Sequence, residues 1–231
     1  MREWYNNDDL IYYNKCIINY DKSNNKNTPI NNNLITLHCL NELNENKDFN
    51  FEIEELIKKL KNYQTEPFGK NGCEIYKTEN FDLNNLFKII IPYFEKLYNS
   101  HIKIIDIKFL KHLSGNHHKE GVFKWHYDNH PKLIINIIIY LNDVNKDEGG
   151  FEYITINDDI VKFDFSKPAG GKDLESFVNI NYNKIKIHQV LGKRGTLFYF
   201  DNNIAHRAGP KVNKERTALI LQLYPSLNSI Y

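Results

Sequence analysis

Two stretches in the first hundred residues carry apolar side chains at helical spacing. In 51–63 (FEIEELIKKLKNY) they fall at Phe51, Leu56, Ile57 and Leu60. In 81–99 they fall at Leu83, Leu86, Phe87, Ile90, Phe94 and Leu97, behind polar Asn80 and Asp82. Steps of three and four residues put such side chains on one helix face, so both stretches are predicted as helices bracing a sheet. Residues 20–34, a run of Asn, Lys, Ser and Pro, read as a loop or a low-complexity tract.

From about residue 102 the pattern changes to short runs rich in Ile, Val, Phe and Tyr, punctuated by Gly, Asn, Asp and Pro. The runs are IKIIDIKFLKHL, VFKWHYD, KLIINIIIYLND, GFEYITI, SFVNINY, KIKIHQV, GTLFYFD and RTALILQLY. Each is predicted as a strand. Some eight short strands after a helical segment predict a mainly β protein with N-terminal helices packed on a β-sandwich or jelly roll. No repeat or linker divides the chain. It is therefore read as a single domain over 1–231, with helical support in 1–100 and the β core in 101–231.

Composition narrows the function. Of 231 residues, 41% are hydrophobic and 13% aromatic, enough for a sizeable core. A net charge of +1 predicts no nucleic-acid footprint and no attraction to anionic membranes. The longest apolar run, 133–141, is interrupted by Asn136 and is too short for a membrane span. The first residues hold no apolar signal region, and three scattered cysteines (Cys16, Cys39, Cys73) form no CxxC. Both features point to a reducing, cytoplasmic location, the host cytoplasm if the source is viral. The sequence does not specify an oligomeric state. Heavy use of Asn, Ile and Lys suits an AT-rich coding sequence and leaves only four Arg (Arg2, Arg194, Arg207, Arg216), each a candidate for work that Lys does less well.

The chemistry concentrates at Trp125-His126-Tyr127-Asp128. On a strand, residues i and i+2 share a face, so His126 and Asp128 would project together. An imidazole beside a carboxylate supplies two legs of the 2-His-1-carboxylate triad that holds Fe(II) with other positions open. His206, after GTLFYFD, fits as the distant third leg. An HxD alone is weak, and His118-Lys119-Glu120 is a decoy in a polar, Gly-bounded run. His112, His130 and His188 read as ordinary surface or strand histidines. Arg216 opens the last strand, ten residues after His206. A dicarboxylate co-substrate chelating iron at one end needs a cation at its far end, and Arg offers a bidentate fork. The alternatives are a surface Arg or a partner for Glu215.

Three segments together carry a resemblance: HYD at 126–128, IIIYLNDVNKDEGGFEYI at 137–154 and GTLFYFDNNIAHRAGPKVNKER at 195–216. They resemble the Fe(II)/2-oxoglutarate-dependent dioxygenases, most the phytanoyl-CoA hydroxylase-like branch and next the prolyl 4-hydroxylase branch. The resemblance covers about 105–225. It implies a double-stranded β-helix (jelly-roll) core, with iron on His126, Asp128 and His206 and the far carboxylate of 2-oxoglutarate on Arg216. It implies that Tyr140 helps hold that carboxylate and that Asn136 lines the cofactor pocket; strand packing is the alternative for both. Strand parity places Lys124 and Gln222 on the ligand faces without assigning them a role. Residues 155–190 match no segment of the family and are the expected place of substrate selection.

The implied reaction uses Fe(2+), 2-oxoglutarate and O2. It hydroxylates an unactivated C–H of a small-molecule substrate and releases succinate and CO2. A protein (prolyl-type) hydroxylase and a non-catalytic, cupin-like metal-binding module are the alternatives.

Overall fold

The computed structural model describes residues 7–24, 37–40, 43, 45–69, 72–78, 81–117, 121–128, 134–162 and 171–229. The first half runs α1 (Asn7–Asn24), β1 (Leu37–Cys39), α2 (Lys47–Leu60), β2 (Thr65–Pro67), β3 (Cys73–Tyr76), α3 (Asn84–Tyr98), β4 (His101–His112) and β5 (Gly115–Asn116). The second half runs β6 (Ile135–Tyr140), β7 (Phe151–Ile156), β8 (Asp159–Ile160), α4 (Gly171–Ile180), β9 (Ile185–Val190), β10 (Leu197–Asp201), β11 (His206–Ala208), β12 (Lys211–Val212) and β13 (Arg216–Ser226).

A seven-stranded antiparallel sheet has the order β1-β10-β6-β13-β4-β3-β2. A smaller sheet has β7 at its centre, flanked by β9 on one edge and by β11 and β8 on the other. The chain passes between the two sheets from β6 to β7, from β9 to β10 and from β10 to β11, in the double-stranded β-helix that the sequence implies.

Strand alternation divides the large sheet into two unlike faces. In β6 the odd residues Ile135, Ile137 and Ile139 pack with Leu219, Leu221 and Leu223 of β13 against Phe49, Ile53 and Leu56 of α2 and Ile90, Ile91 and Phe94 of α3. The even residues Asn136, Ile138 and Tyr140 face the smaller sheet, and between the sheets Phe198 and Phe200 of β10 meet Phe151 of β7 in a second cluster. A one-residue slip of β6 would put Asn136 among the helices, so the helix-facing isoleucines lock the register that points Asn136 inward.

Several expectations are corrected. The helix expected at 51–63 begins at Lys47, because the Asn46 side chain caps it by accepting from the Phe49 N–H at 3.0 Å. The shift turns Phe51 outward, 61% exposed, and puts Phe49 and Ile53 in the core. Residues 20–24, read as loop, end α1, and the rest of that tract (25–34) lies outside the described residues. The run 122–128 is not a regular strand. It is a short 3-10 turn (Gly121–Phe123) followed by an extended segment with a single bridge, His126 to His206. The run 176–182 is not a strand either. Leu174, Phe177 and Val178 at helical spacing pack α4 on Trp125 and Ile154, which leaves Ile180 and Tyr182 in solvent. Its period-2 texture was mimicry by exposed apolar residues. Asn80, His118-Lys119-Glu120 and His130 lie outside the described residues.

Candidate metal centre

The HxD segment is fixed from both sides. Phe123 and Trp125 are buried, and the Trp125 N–H donates to the Glu175 carboxylate of α4 at 2.7 Å. The His126 and His206 backbones exchange two hydrogen bonds of 2.9 Å, and Asp128 N–H donates to Asn202 O at 3.1 Å. The extended HxD segment is thereby stapled to the turn between β10 and β11, and His206 is seated by pairing with Tyr153 of β7.

These contacts bring three side chains from two distant parts of the chain together. One ligand atom each from His126, Asp128 and His206 lies within 4.8 Å of the others. The imidazole rings stand 4.4 Å apart between centroids. His126 Nδ1 lies 2.7 Å from Lys124 O, and His206 Nδ1 lies 2.9 Å from Ile204 O. Each Nδ1–H donates to a carbonyl, which leaves each Nε2 lone pair free for a cation. Lys124 thus contributes its carbonyl and not its side chain. Burial first, then His126, pushes the His206 pKa down to about 4 against the opposing pull of Asp128. Its ring is neutral near pH 7, the form that binds metal.

Behind the carboxylate stands a row of amides. Asn136 Nδ2 donates to Asp128 Oδ2 at 2.6 Å and to Asn202 Oδ1 at 2.7 Å, and Asn136 Oδ1 accepts from Gln222 Nε2 at 3.0 Å. Asn136 therefore meets Asp128 directly, and Gln222, assigned nothing by parity, holds Asn136.

Arg216 lies in the same cavity of about 240 Å³, walled between the two ends by Leu110, Ile138, Phe151, Phe200 and Ile220. It is 5% exposed, and Glu215 pairs with Lys111 instead at 2.9 Å. Neither a surface role nor a Glu215 pair describes it. Arg194 pairs with Glu54 and Arg207 with Glu152. Among the described residues, no carboxylate lies within ion-pair distance of Arg216. Its Nη1–H donates to Gly149 O. Gly149 has φ +73°, and a Cβ there would stand 2.7 Å from Val212, so the EGG run at 148–150 presents this carbonyl because the position is glycine. Gly209 likewise lets the HRAGP turn close on Gly150, with N–H donating to O at 2.8 Å.

Tyr140 sits beside the cavity. Its O–H donates to Val190 O and accepts from Phe151 N–H, both at 2.9 Å, and the Arg216 guanidinium carbon lies 5.8 Å from its ring. The hydroxyl proton is therefore committed to the backbone. His112, set aside by the sequence reading, touches Arg216 and lines the cavity. Only the pairing of His112 with Arg216 across β4 and β13 brings them together, and no short motif encodes that register.

No family model matches the sequence, and no curated protein matches it. Solved structures do. The non-heme alpha-ketoglutarate-dependent epimerase SnoN from nogalamycin biosynthesis matches with TM-score 0.56 and 11% identity over 94% of this chain and 84% of its own. HygX from Streptomyces hygroscopicus, with nickel and 2-oxoglutarate bound, gives 0.50 and 13% over 78% and 81%. A prolyl hydroxylase from Trichoplax adhaerens, in complex with a hypoxia inducible factor peptide fragment, gives 0.51 and 13% over 95% and 91%. At these identities the likeness is one of fold: the chain has the double-stranded β-helix on which these 2-oxoglutarate-dependent and hydroxylating enzymes are built.

Proposed function

We propose that the protein is an Fe(II)- and 2-oxoglutarate-dependent dioxygenase that hydroxylates an unactivated C–H of a small molecule. One observation carries the reading. A buried guanidinium without a carboxylate partner among the described residues shares a cavity with a 2-His-1-carboxylate cluster. A buried cation is costly unless an anion meets it. A molecule that chelates a metal at one end and carries a carboxylate at the other satisfies both ends at once.

The donor set fits iron. Two imidazoles with free Nε2 atoms and one carboxylate, on one side of a cavity, make a facial set that leaves further positions for co-substrate. When bound, iron with 2-oxoglutarate and O2 supplies the oxidising power for C–H hydroxylation, with succinate and CO2 as co-products. The chain's own work is orientation and exclusion of water. Lys124 O and Ile204 O set the imidazole tautomers, and Asn136 orients Asp128 by donating to one oxygen. Phe151 and Phe200 pack on the His206 ring and dry that side. Arg216 holds the far carboxylate.

The fold does not choose the substrate. Structures of this fold include SnoN, which belongs to nogalamycin biosynthesis, and a prolyl hydroxylase bound to a peptide. A mostly apolar wall, with Lys108 beside Asp106 among the few polar groups outside the two ends, suits a compact and largely apolar molecule. The test is anaerobic addition of Fe(II) and 2-oxoglutarate to the metal-free protein, watched for a visible charge-transfer band. Its absence defeats the reading in favour of a metal-binding module. Succinate release stimulated by small molecules is expected; stimulation only by prolyl peptides would assign the protein-hydroxylase alternative.

A further inference from the structure

The guanidinium of Arg216 carries five N–H groups, and its neighbours are His112, Gly149 and the Tyr140 hydroxyl. Nε–H donates to His112 Nδ1 at 3.3 Å, Nη2 lies 2.9 Å from the same nitrogen, and Nη1 donates to Gly149 O. In an arginine the outer N–H groups of the two Nη atoms form the edge that grips a carboxylate bidentately. With Nδ1 accepting, His112 carries its proton on Nε2, which lies 3.2 Å from Nη2. His112 is buried and lines the cavity, and the ring of Phe123 packs edge-on against it. Tyr140, the other polar side chain beside Arg216, has spent its proton on Val190 O.

We propose that His112 is the second donor for the far carboxylate of the dicarboxylic 2-oxo acid, its Nε2–H acting beside the Arg216 guanidinium. This rests on the reading of the cavity as a 2-oxoglutarate site. Burial, and next the adjacent Arg216, hold the His112 pKa well below 6.5. The ring therefore serves as a neutral donor and adds no second charge.

The experiment measures binding by calorimetry on Mn(II)-loaded protein, which needs no turnover. The ligands are 2-oxoglutarate and 2-oxopentanoate, of equal chain length but without the far carboxylate. His112→Phe should weaken 2-oxoglutarate about tenfold, the usual loss of one hydrogen bond to a charged group, and leave 2-oxopentanoate unchanged. His112→Gln, which restores an N–H donor, should recover most of the loss. In an Arg216→Met background, His112→Phe should still weaken 2-oxoglutarate further. No further loss there would mean that His112 only positions Arg216, which overturns the donor role. An equal loss of both ligands would mean a merely structural histidine and also overturns it. Wild-type protein that binds both acids equally would instead defeat the co-substrate reading itself.

Discussion

The two ends of the cavity are built on opposite principles. At the metal end, Gln222, Asn136, Asn202 and Asp128 form a connected row of hydrogen bonds, and both histidines spend their Nδ1 protons on backbone carbonyls. At the other end, Arg216 is buried with an imidazole and a carbonyl but no carboxylate among the described residues. Its charge is left for a ligand to balance. A saturated end is rigid and selects by geometry; an unbalanced end selects by charge. The contrast predicts that damage to the first end removes metal, whereas damage to the second changes which oxo acid binds.

The largest effect is expected at Asp128. Asp128→Ala should remove a ligand and leave Asn136 without its carboxylate acceptor. Metal affinity should fall by more than the roughly 10–100-fold typical of outer-shell partners. Titration with Co(II), followed by its visible spectrum, measures this. If affinity falls by less than tenfold, Asp128 is not a ligand. Asn136→Ala should itself fall inside that 10–100-fold range, because Asn136 donates to Asp128 and is steadied by Gln222.

Acid should act on the metal-free protein at the same end. His206 is held near pKa 4, whereas an unfolded histidine titrates near 6.5. The folded state therefore binds fewer protons than the unfolded state between those values. Stability is fully present above about pH 6.5 and is lost as pH falls towards 4, by up to roughly 3 kcal/mol from this residue. His112, also depressed, adds loss in the same direction. Urea unfolding at pH 7 and pH 5 measures the slope, and His206→Gln should flatten it. A stability that is flat over this range would contradict a buried neutral His206.

Arg216→Met sharpens the comparison from the other side. It keeps the volume and removes the charge. Affinity for 2-oxoglutarate should drop about 10–100-fold, the range of a charge-assisted bidentate contact, while Co(II) affinity stays unchanged. In the metal-free variant, removal of a buried charge with no carboxylate partner among the described residues offsets the loss of the donors to Gly149 O and His112 Nδ1, so its melting temperature should stay close to the wild type. A clear fall in melting temperature would show that Arg216 is a structural cation.

These two ends also differ in how far they could be read from the sequence. The metal end is written in short range: His126 and Asp128 are two residues apart, and the isoleucines of β6 announce the strand that places Asn136. The jelly-roll core was legible for the same reason, through runs whose alternation survives in β4, β6, β7, β10 and β13. The cation end is written in register. His112 meets Arg216 because β4 and β13 pair antiparallel over their whole length, across a bulge at Gln222/Leu223. No local pattern specifies that alignment. The same limit explains α4: its outward Ile180, with exposed Tyr182 just beyond its end, imitates a strand, and only Leu174 and Val178 buried on Trp125 and Ile154 reveal the helix.

The smallest expected effect on ligand binding is at Tyr140, where family resemblance and geometry part. A tyrosine that held the co-substrate would lose affinity with its hydroxyl. Here the hydroxyl ties β6 to Val190 and Phe151 on the opposite sheet. Tyr140→Phe leaves a buried carbonyl and a buried N–H without this partner, a cost of about 1–3 kcal/mol in stability. Phe keeps the ring that lies near the guanidinium, so 2-oxoglutarate affinity should change by less than about twofold. Thermal melting and calorimetry on the one variant separate the two roles. A lower melting temperature with unchanged affinity makes Tyr140 a strut between the sheets. Unchanged melting with weakened affinity would return it to the cofactor site and place the boundary of the cation end one strand further in.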